Sequence, residues 1–168
     1  MIAIKILKQK DFMAKLLTSD IFDNYLVNEL TIETYNTFHI DGKINKAFYD
    51  NNSTDEDDSS KTLDNYSTWS TLRPICLDLI KGKRTPLGFK FIFYLKEDSK
   101  TKIINSADSD LLPEQVNLGL NVKFTGSEMQ ITTGCAYNIF TLEKEIEKKW
   151  DEYIPRFLDN SNIEYEIL

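Results

Sequence analysis

The residue types that most often carry catalysis are scarce in this chain. His39 is the only histidine, so a metal site built from several histidines is excluded. It alternates with Phe38 and Ile40 in a strand-like run, and we interpret it as an exposed strand residue. Cys76 and Cys135 lie in separate apolar stretches, where a thiol stays protonated and a thiolate nucleophile is disfavoured. The sequence therefore predicts no catalytic residue, no metal site and no cofactor.

Two short runs approach ligand-binding motifs without completing them. Residues 82–85 resemble the end of a phosphate-binding loop, but Leu77 stands where the first glycine is required, and the run follows a helix rather than a strand. Residues 55–58 are acidic and approach a calcium-binding loop, but Ser60 replaces the required glycine and Tyr66 the bidentate glutamate. We reject both motifs and interpret the acidic run as a solvated loop.

The run GFKFIFY at residues 88–94 partly matches the aromatic strand of RNA-recognition domains. Leu87 stands where a basic residue belongs, Lys90 stands where glycine or alanine belongs, and the strand follows a helix directly. We therefore interpret the phenylalanines of this run as core residues that pack on the preceding helix. The basic residues around the run remain a candidate surface for anions.

Positive charge is concentrated in the middle of an acidic chain. The net charge is −7, yet residues 66–102 carry eight basic and three acidic side chains. A basic segment of this kind either meets an anionic partner or pairs with acids of its own protein, and the sequence leaves both readings open. We assign a binding surface, named the basic corner, to Arg73, Lys81, Lys83, Arg84, Lys90 and Tyr94.

A helix, a turn and a strand must position the basic corner. Apolar residues recur at three- and four-residue spacing over residues 69–80, which predicts a helix with one buried face. Pro74 belongs either in the first turn of that helix or at a kink. Gly82 can adopt the left-handed conformation that ends a helix. In the strand that follows, the phenylalanines share one face, while Lys90 and Tyr94 point to the other.

Two hairpin signals and three amphipathic helices predict an α+β fold with a mainly antiparallel sheet. The first hairpin is predicted at Asp41 and Gly42, and the second at residues 125–127. The central helix and a C-terminal helix capped by Thr141 should pack on the sheet, and residues 96–112 are loosely patterned. We predict a single domain over residues 1–168, with a mobile acidic loop at residues 50–61 that has no apolar anchor.

The first residues of the chain and its two cysteines indicate the cellular compartment. The N-terminal run MIAIKIL is too short for a signal peptide or a membrane span, and Lys5 interrupts it. An apolar content of 41% is typical of a folded chain. Two cysteines in separate apolar contexts fit a reducing compartment. We therefore predict a cytoplasmic protein that makes no membrane contact.

Three stretches carry a resemblance to known sequences. They are TFHIDGKINKAFYD at residues 37–50, the segment from Trp69 to Leu95, and ITTG at residues 131–134. With them, the whole chain resembles a family of short, uncharacterised proteins from anaerobic Gram-positive bacteria. That family has no assigned activity, so the resemblance implies no catalytic residue.

The predicted order of elements is also similar to that of one domain of a DNA sliding clamp. The shared order is a strand, a helix, three strands, a helix, further strands and a closing helix. This likeness implies a clamp-like arrangement with a second helix whose end is basic. It concerns element order alone and carries no function, and the chain is too short for a clamp subunit of two or three such domains.

We expect a non-enzymatic binding module that meets an anionic partner, either nucleic acid or another protein. It would use the basic corner and the outer face of the phenylalanine strand. One alternative is an enzyme that acts on a small anionic metabolite, which would need a convergent acid, base and nucleophile that the sequence does not offer. The other is a homo-oligomeric structural protein that buries Ile92 and Tyr94 between subunits.

Overall fold

The computed structural model describes residues 1–50 and 65–168. The strands are β1 (Ala3–Ile6), β2 (Tyr25–Glu33), β3 (Thr37–Asp41), β4 (Gly88–Leu95), β5 (Val116–Phe124), β6 (Met129–Tyr137) and β7 (Tyr165–Ile167). The helices are α1 (Gln9–Thr18), α2 (Lys46–Asp50), α3 (Trp69–Ile80), α4 (Glu97–Ser106) and α5 (Glu145–Asn160), with a 3-10 turn at Pro113–Gln115. The predicted acidic loop at residues 50–61 lies, after its first residue, outside the described residues, and the single-domain assignment stays a prediction.

The strands of the described ranges form one seven-stranded sheet in the order β3-β2-β4-β5-β6-β1-β7. Every neighbouring pair in it is antiparallel. Short turns join β2 to β3 and β5 to β6, so the sheet contains two hairpins, and the second of them is the one that the sequence predicts at residues 125–127. The α+β class with a mainly antiparallel sheet is therefore confirmed.

Strand β4 lies inside the sheet because its alternating phenylalanines supply a buried face. Phe89, Phe91 and Phe93 are at most 3% exposed, and residues two apart on a strand point to the same side. On that side lies Trp69 of α3, whose ring centroid is 5.5 Å from that of Phe91 and 5.2 Å from that of Phe93. The predicted packing of this strand on the central helix is confirmed.

Helices α1, α3 and α5 cover the same face of the sheet. Phe22 follows α1 and touches rings from both flanking helices, at 5.7 Å from Phe12 of α1 and 5.3 Å from Phe157 of α5. Its centroid is also 6.4 Å from that of Phe93. Apart from the buried Gly88, the residues of opposite parity in β4, such as Lys90, are exposed or half-buried. That second side of the sheet is the open face.

The first hairpin turns earlier in the chain than the sequence predicts. The register of β2 with β3 places the turn at residues 34–36. Asp41 instead ends β3, and Gly42 passes close to β2, where a Cβ atom on Gly42 would lie 1.9 Å from the carbonyl oxygen of Val27. The predicted turn at Asp41 and Gly42 is wrong, because the glycine is required for close backbone approach rather than for chain reversal.

Helix α5 begins later than the sequence predicts. Its buried stripe, at four-residue spacing, is Ile146, Trp150, Ile154 and Leu158. The hydroxyl of Thr141 accepts a hydrogen bond from the Glu143 N–H (3.1 Å), a local turn that precedes the helix. Thr141 is therefore not the cap of this helix, which starts at Glu145. Leu142 extends the sequence spacing of the stripe but is 84% exposed.

Two further elements depart from the expected pattern. Pro74 lies inside α3 rather than in its first turn. Of the two placements that the sequence allowed, the one beyond the first turn is therefore observed. The loosely patterned residues 96–112 contain α4, whose buried residues include Ile103, Ile104 and Lys100. A lysine in the buried face interrupts the helical spacing of the apolar residues. The sequence pattern therefore did not indicate a regular helix there.

Candidate anion-binding site

The turn between α3 and β4 carries the densest part of the basic corner. Helix α3 ends where the Lys81 N–H donates to the Leu77 carbonyl oxygen at 2.7 Å. Gly82 follows with a φ of 140°, an angle that side chains rarely adopt and glycine adopts freely. Lys83 and Arg84 then lie exposed in the segment that leads into β4. The glycine thus lets the chain leave the helix and present two consecutive cations to solvent.

This turn and helix α1 line a cavity of about 740 Å³ that is open to solvent. Apolar side chains from three elements contribute to its floor, among them Leu77, Ile80 and Phe124. The charged residues that line it are Lys10, Lys81, Lys83 and Arg84, and the cavity is named the basic pocket. No carboxylate belongs to the described residues that line this cavity.

Lys10 is the member of the basic pocket that the sequence did not predict. It lies on α1, and only the packing of α1 against α3 brings it beside the turn. In the sequence it belongs to a basic run with Lys5, Lys8 and Lys15, but each of those three lysines is paired with an acid in the fold. A signal that could have found it is the pairing of two amphipathic helices on one sheet face, but the sequence does not specify which helices become neighbours.

The cations of the basic pocket differ in how far they are neutralised. Lys81 forms an ion pair with Asp78 at 2.7 Å, and both side chains are exposed, so this pair contributes little to stability. For Lys10, Lys83 and Arg84, no carboxylate oxygen of the described residues lies within 4.0 Å. Three uncompensated charges around one cavity create a local positive potential that attracts anions.

Arg73 lies away from the basic pocket and has structural partners. Its guanidinium donates to the Ser19 carbonyl oxygen at 2.6 Å and is paired with the Asp23 carboxylate. The side chain is only 20% exposed. Arg73 therefore ties α3 to the segment after α1, and for this residue the self-neutralising reading of the basic corner agrees with the geometry.

Lys90 points to the open face, so the sheet separates it from the basic pocket. It is exposed and lies directly opposite Thr31 of β2 on one side and Lys123 of β5 on the other. The basic corner is thus divided by the sheet: Lys81, Lys83 and Arg84 come together, while Lys90 does not join them. Residues two positions apart share a face, but sequence alone does not indicate which face the preceding turn approaches.

Tyr94 also lies on the open face, at the other end of β4. Its ring meets that of Tyr66 edge to face, with centroids 5.4 Å apart. Burial raises the pKa of the Tyr94 phenol, and the nearby Tyr66 adds to the shift. Tyr94 is half-buried and lines a second cavity, which does not include any other residue of the basic corner.

That second cavity has the same volume as the basic pocket, about 740 Å³, but a balanced charge. Its charged lining residues are Lys43, Lys96, Lys100, Glu97, Asp98 and Glu114. Lys100 is buried and donates to the Val116 carbonyl oxygen at 2.9 Å. Burial lowers the pKa of Lys100. We name it the mixed cavity; its equal numbers of acids and bases give it no net preference for anions.

The side chains with nucleophilic potential are placed unfavourably for chemistry. Burial raises the pKa of the Cys76 thiol to about 12, and burial together with the Glu147 carboxylate raises that of Cys135 to about 11. Both thiols are therefore protonated near neutral pH. Exposed His39 has Nδ1 3.2 Å from the Thr31 hydroxyl. No metal-binding group of three or more His, Cys, Asp or Glu occurs within residues 1–50 and 65–168.

Fold and site together define an α+β protein with one antiparallel sheet, helices on one face and a basic pocket at the end of the central helix. The chain belongs to the family of unknown function DUF5721, whose model matches residues 15–166. The predicted resemblance to a family without an assigned activity is confirmed at this level. The comparisons with curated proteins and with solved structures found no match.

A helix that crosses a bilayer needs about 20 predominantly apolar residues. None of the helices in the two described ranges is sufficiently long and apolar for this.

Proposed function

We propose that this protein is a non-enzymatic binding module that meets an anionic partner, a nucleic acid, at the basic pocket. The observation that carries the proposal is that four cations line one cavity without a carboxylate among its described lining residues. The protein as a whole has a net charge of −7. A polyanion is repelled by most of its surface, so the local positive potential would select where it binds.

The composition of the basic pocket favours phosphate contacts over base recognition. Lysine ammonium and arginine guanidinium groups neutralise backbone phosphates, and these contacts carry no direct sequence information. Besides the four cations, the groups of the described lining that could read base edges are limited to Gln9 and Thr85. We therefore expect binding that depends on salt far more than on nucleotide sequence.

The two other functional readings have weaker support. An enzyme acting on a small anionic metabolite would need an activated nucleophile or a convergent acid and base, whereas the two thiols have raised pKa values. A homo-oligomer that buries Ile92 and Tyr94 would gain less apolar burial than expected from the sequence, since both are already half-buried. A sizing column tests the oligomer directly.

Three finer expectations belong to the same proposal. A cytoplasmic location is expected from the N-terminal run and the two cysteines, and an origin in anaerobic Gram-positive bacteria is expected from the family resemblance. The clamp-like arrangement rests on element order, which begins with β1, α1, β2 and β3 and includes a basic segment at the end of α3. Fractionation of the native host would test the location, and superposition on a single clamp domain would test the arrangement.

The salt dependence of nucleic-acid binding tests the proposal. Single- and double-stranded DNA and RNA are titrated by fluorescence anisotropy from about 50 mM salt upward, a regime in which phosphate contacts are strong. Replacing Lys83 and Arg84 together by Ala should flatten the slope of log affinity against log salt by about one to two phosphate equivalents. Lys10→Ala should flatten it by about one, although it lies on a different helix.

A charge-matched control separates the pocket from net charge. The double variant Lys144→Ala and Arg156→Ala also removes one lysine and one arginine, both exposed, and neither lines the basic pocket. Its salt slope should equal that of the unmodified protein. Absence of binding at about 50 mM salt by the folded protein, or equal losses in both double variants, refutes the proposal and leaves a protein or a small anion as the partner.

A further inference from the structure

The strand register lines up hydrogen-bond donors across the open face. At one level of the sheet, six neighbouring strands from β3 to β1 each contribute a side chain that can donate. In sheet order these residues are His39, Thr31, Lys90, Lys123, Gln130 and Lys5, each directly opposite the next. This set is named the donor row. No acid occurs within it; the first is Glu166 of β7, opposite Lys5.

The ends of the donor row already have partners. The Thr31 hydroxyl lies 3.2 Å from Nδ1 of His39, and the ammonium of Lys5 lies 3.4 Å from the Glu128 carboxylate. The side chains near the two ends of the row therefore interact with other protein groups. Its centre is different.

Lys90 and Lys123 face each other at that centre without compensation. They are paired in the register of β4 and β5, and both are exposed. Among the described residues, no carboxylate lies within 4.0 Å of either ammonium group. Like charges directly opposite on neighbouring strands destabilise a sheet. A bound anion would remove this repulsion.

We propose that the centre of the donor row binds a short chain of phosphate groups laid across the strands. The four residues Thr31, Lys90, Lys123 and Gln130 span about 14 Å at the usual strand spacing. The two lysines supply charge and the Gln130 amide supplies a neutral donor, while the Thr31 hydroxyl, which contacts His39, lies beside Lys90. This site lies on the face opposite the basic pocket and does not depend on it. Polyphosphate and a single-stranded phosphodiester backbone share the required chemistry.

The proposal predicts opposite changes in stability and in binding for one substitution. Lys123→Gln keeps a long polar side chain but removes the repulsion, so at low salt the ligand-free variant should melt about 1–3 °C higher than the unmodified protein. The gain should vanish as the salt approaches about 1 M, where the screening length is about 3 Å. The same variant should bind tripolyphosphate about fivefold or more weakly at low salt.

Gln130→Lys is the reverse test. It places a third free cation beside Lys123, so the ligand-free protein should melt lower at low salt and bind tripolyphosphate more tightly. Titration calorimetry of both variants is carried out with Lys10, Lys83 and Arg84 also replaced by Ala, which removes the three cations of the basic pocket that have no carboxylate partner among the described residues. A change in tripolyphosphate affinity then reports on the donor row and not on the basic pocket, so each of the two proposals can be refuted without the other.

Weaker tripolyphosphate binding by Lys123→Gln together with its salt-dependent rise in melting temperature supports the donor-row site. A parallel loss for oligothymidylate identifies a phosphodiester as a source of the phosphates, and a loss for tripolyphosphate alone identifies free phosphate chains. The proposal is overturned if the protein binds neither probe at about 50 mM salt, if Lys123→Gln leaves the affinity unchanged, or if Lys123→Gln melts lower at low salt.

Discussion

The two faces of strand β4 are formed by alternating residues, and they differ in burial and in charge. On the helix-covered face, Phe91 and Phe93 are fully buried against Trp69. On the open face, Lys90 is exposed and meets another lysine rather than an acid. The covered face provides the apolar burial and ring contacts that stabilise the fold. The open face instead places two like charges opposite each other, an arrangement that disfavours the sheet.

The same contrast separates the arginines of the basic corner. Arg73 is largely buried and bonded to Ser19 and Asp23, whereas Arg84 lies exposed beside the basic pocket. A cation with protein partners holds elements together, and a cation without them is free to meet a ligand. The number of basic residues in a segment is therefore a weaker guide to binding than the partners each one has.

Truncation on the covered face should have the largest effect. Phe93→Ala removes a fully buried ring in contact with Phe22, Tyr25 and Trp69. We expect it to lower the free energy of unfolding by about 3–5 kcal/mol, measured by urea denaturation. Ile92→Ala, one residue away on the open face, should cost less than about 2 kcal/mol. Equal losses in the free energy of unfolding for the two variants would contradict the conclusion that the covered face contributes more to stability than the open face.

Removal of a structural cation should have the next largest effect. Arg73→Ala leaves the Asp23 carboxylate and the Ser19 carbonyl oxygen without this partner, and we expect a loss of about 1–3 kcal/mol in the free energy of unfolding. Lys90→Ala, which removes a free cation, should stay within about 0.5 kcal/mol. The same denaturation series measures both. A large cost for Lys90→Ala would show that the open face is structural too.

Alkaline pH should destabilise the fold through buried groups that ionise as acids, and the Cys76 thiol is one of them. The Cys76 thiol titrates near 9.0 in the unfolded chain and at about 12 in the fold. Its protonated form is favoured by folding, so the stability it contributes is fully present below pH 9 and is lost as pH rises toward 12. The loss is at most about 1.4 kcal/mol per pH unit for one thiol.

The thiol contribution can be isolated by comparing slopes. Tyr25, whose pKa burial raises well above 10.0, adds a similar loss above pH 10, so the fall is not specific to cysteine. Cys76→Ala should reduce the slope of unfolding free energy against pH between about 9 and 10, below most tyrosine ionisation. An unchanged slope in that interval would indicate that Cys76 does not titrate with folding.

Changes at the basic pocket should have the smallest effect on stability. Replacing Lys83 and Arg84 by Ala removes exposed side chains that have no carboxylate partner among the described residues. We expect a change within about 0.5 kcal/mol in thermal or urea unfolding. The nucleic-acid titration would then measure the pocket in a fully folded protein. A loss above about 1 kcal/mol would mean that these residues support the turn after α3.

Patterns that extend over many residues of the sequence were sufficient to predict the class of fold. Alternation in β4 and the four-residue stripe of α5 each predict a buried face that the structure contains. Short signals were less reliable. The Asp41 and Gly42 pair has the composition of a hairpin turn, but the glycine is required for packing against Val27. Helix α4 was missed because Lys100, a charged residue, belongs to its buried face.

For the candidate sites, the sequence by itself determined which residues are basic and that Lys83 and Arg84 lie in a turn after a helix. Only the tertiary structure decided which cations are neighbours. Packing of α1 on α3 brings Lys10 to the basic pocket, and antiparallel register sets Lys90 opposite Lys123. The physical reason is that local spacing encodes the face of an element on which a side chain lies, whereas register and helix pairing depend on contacts between distant segments.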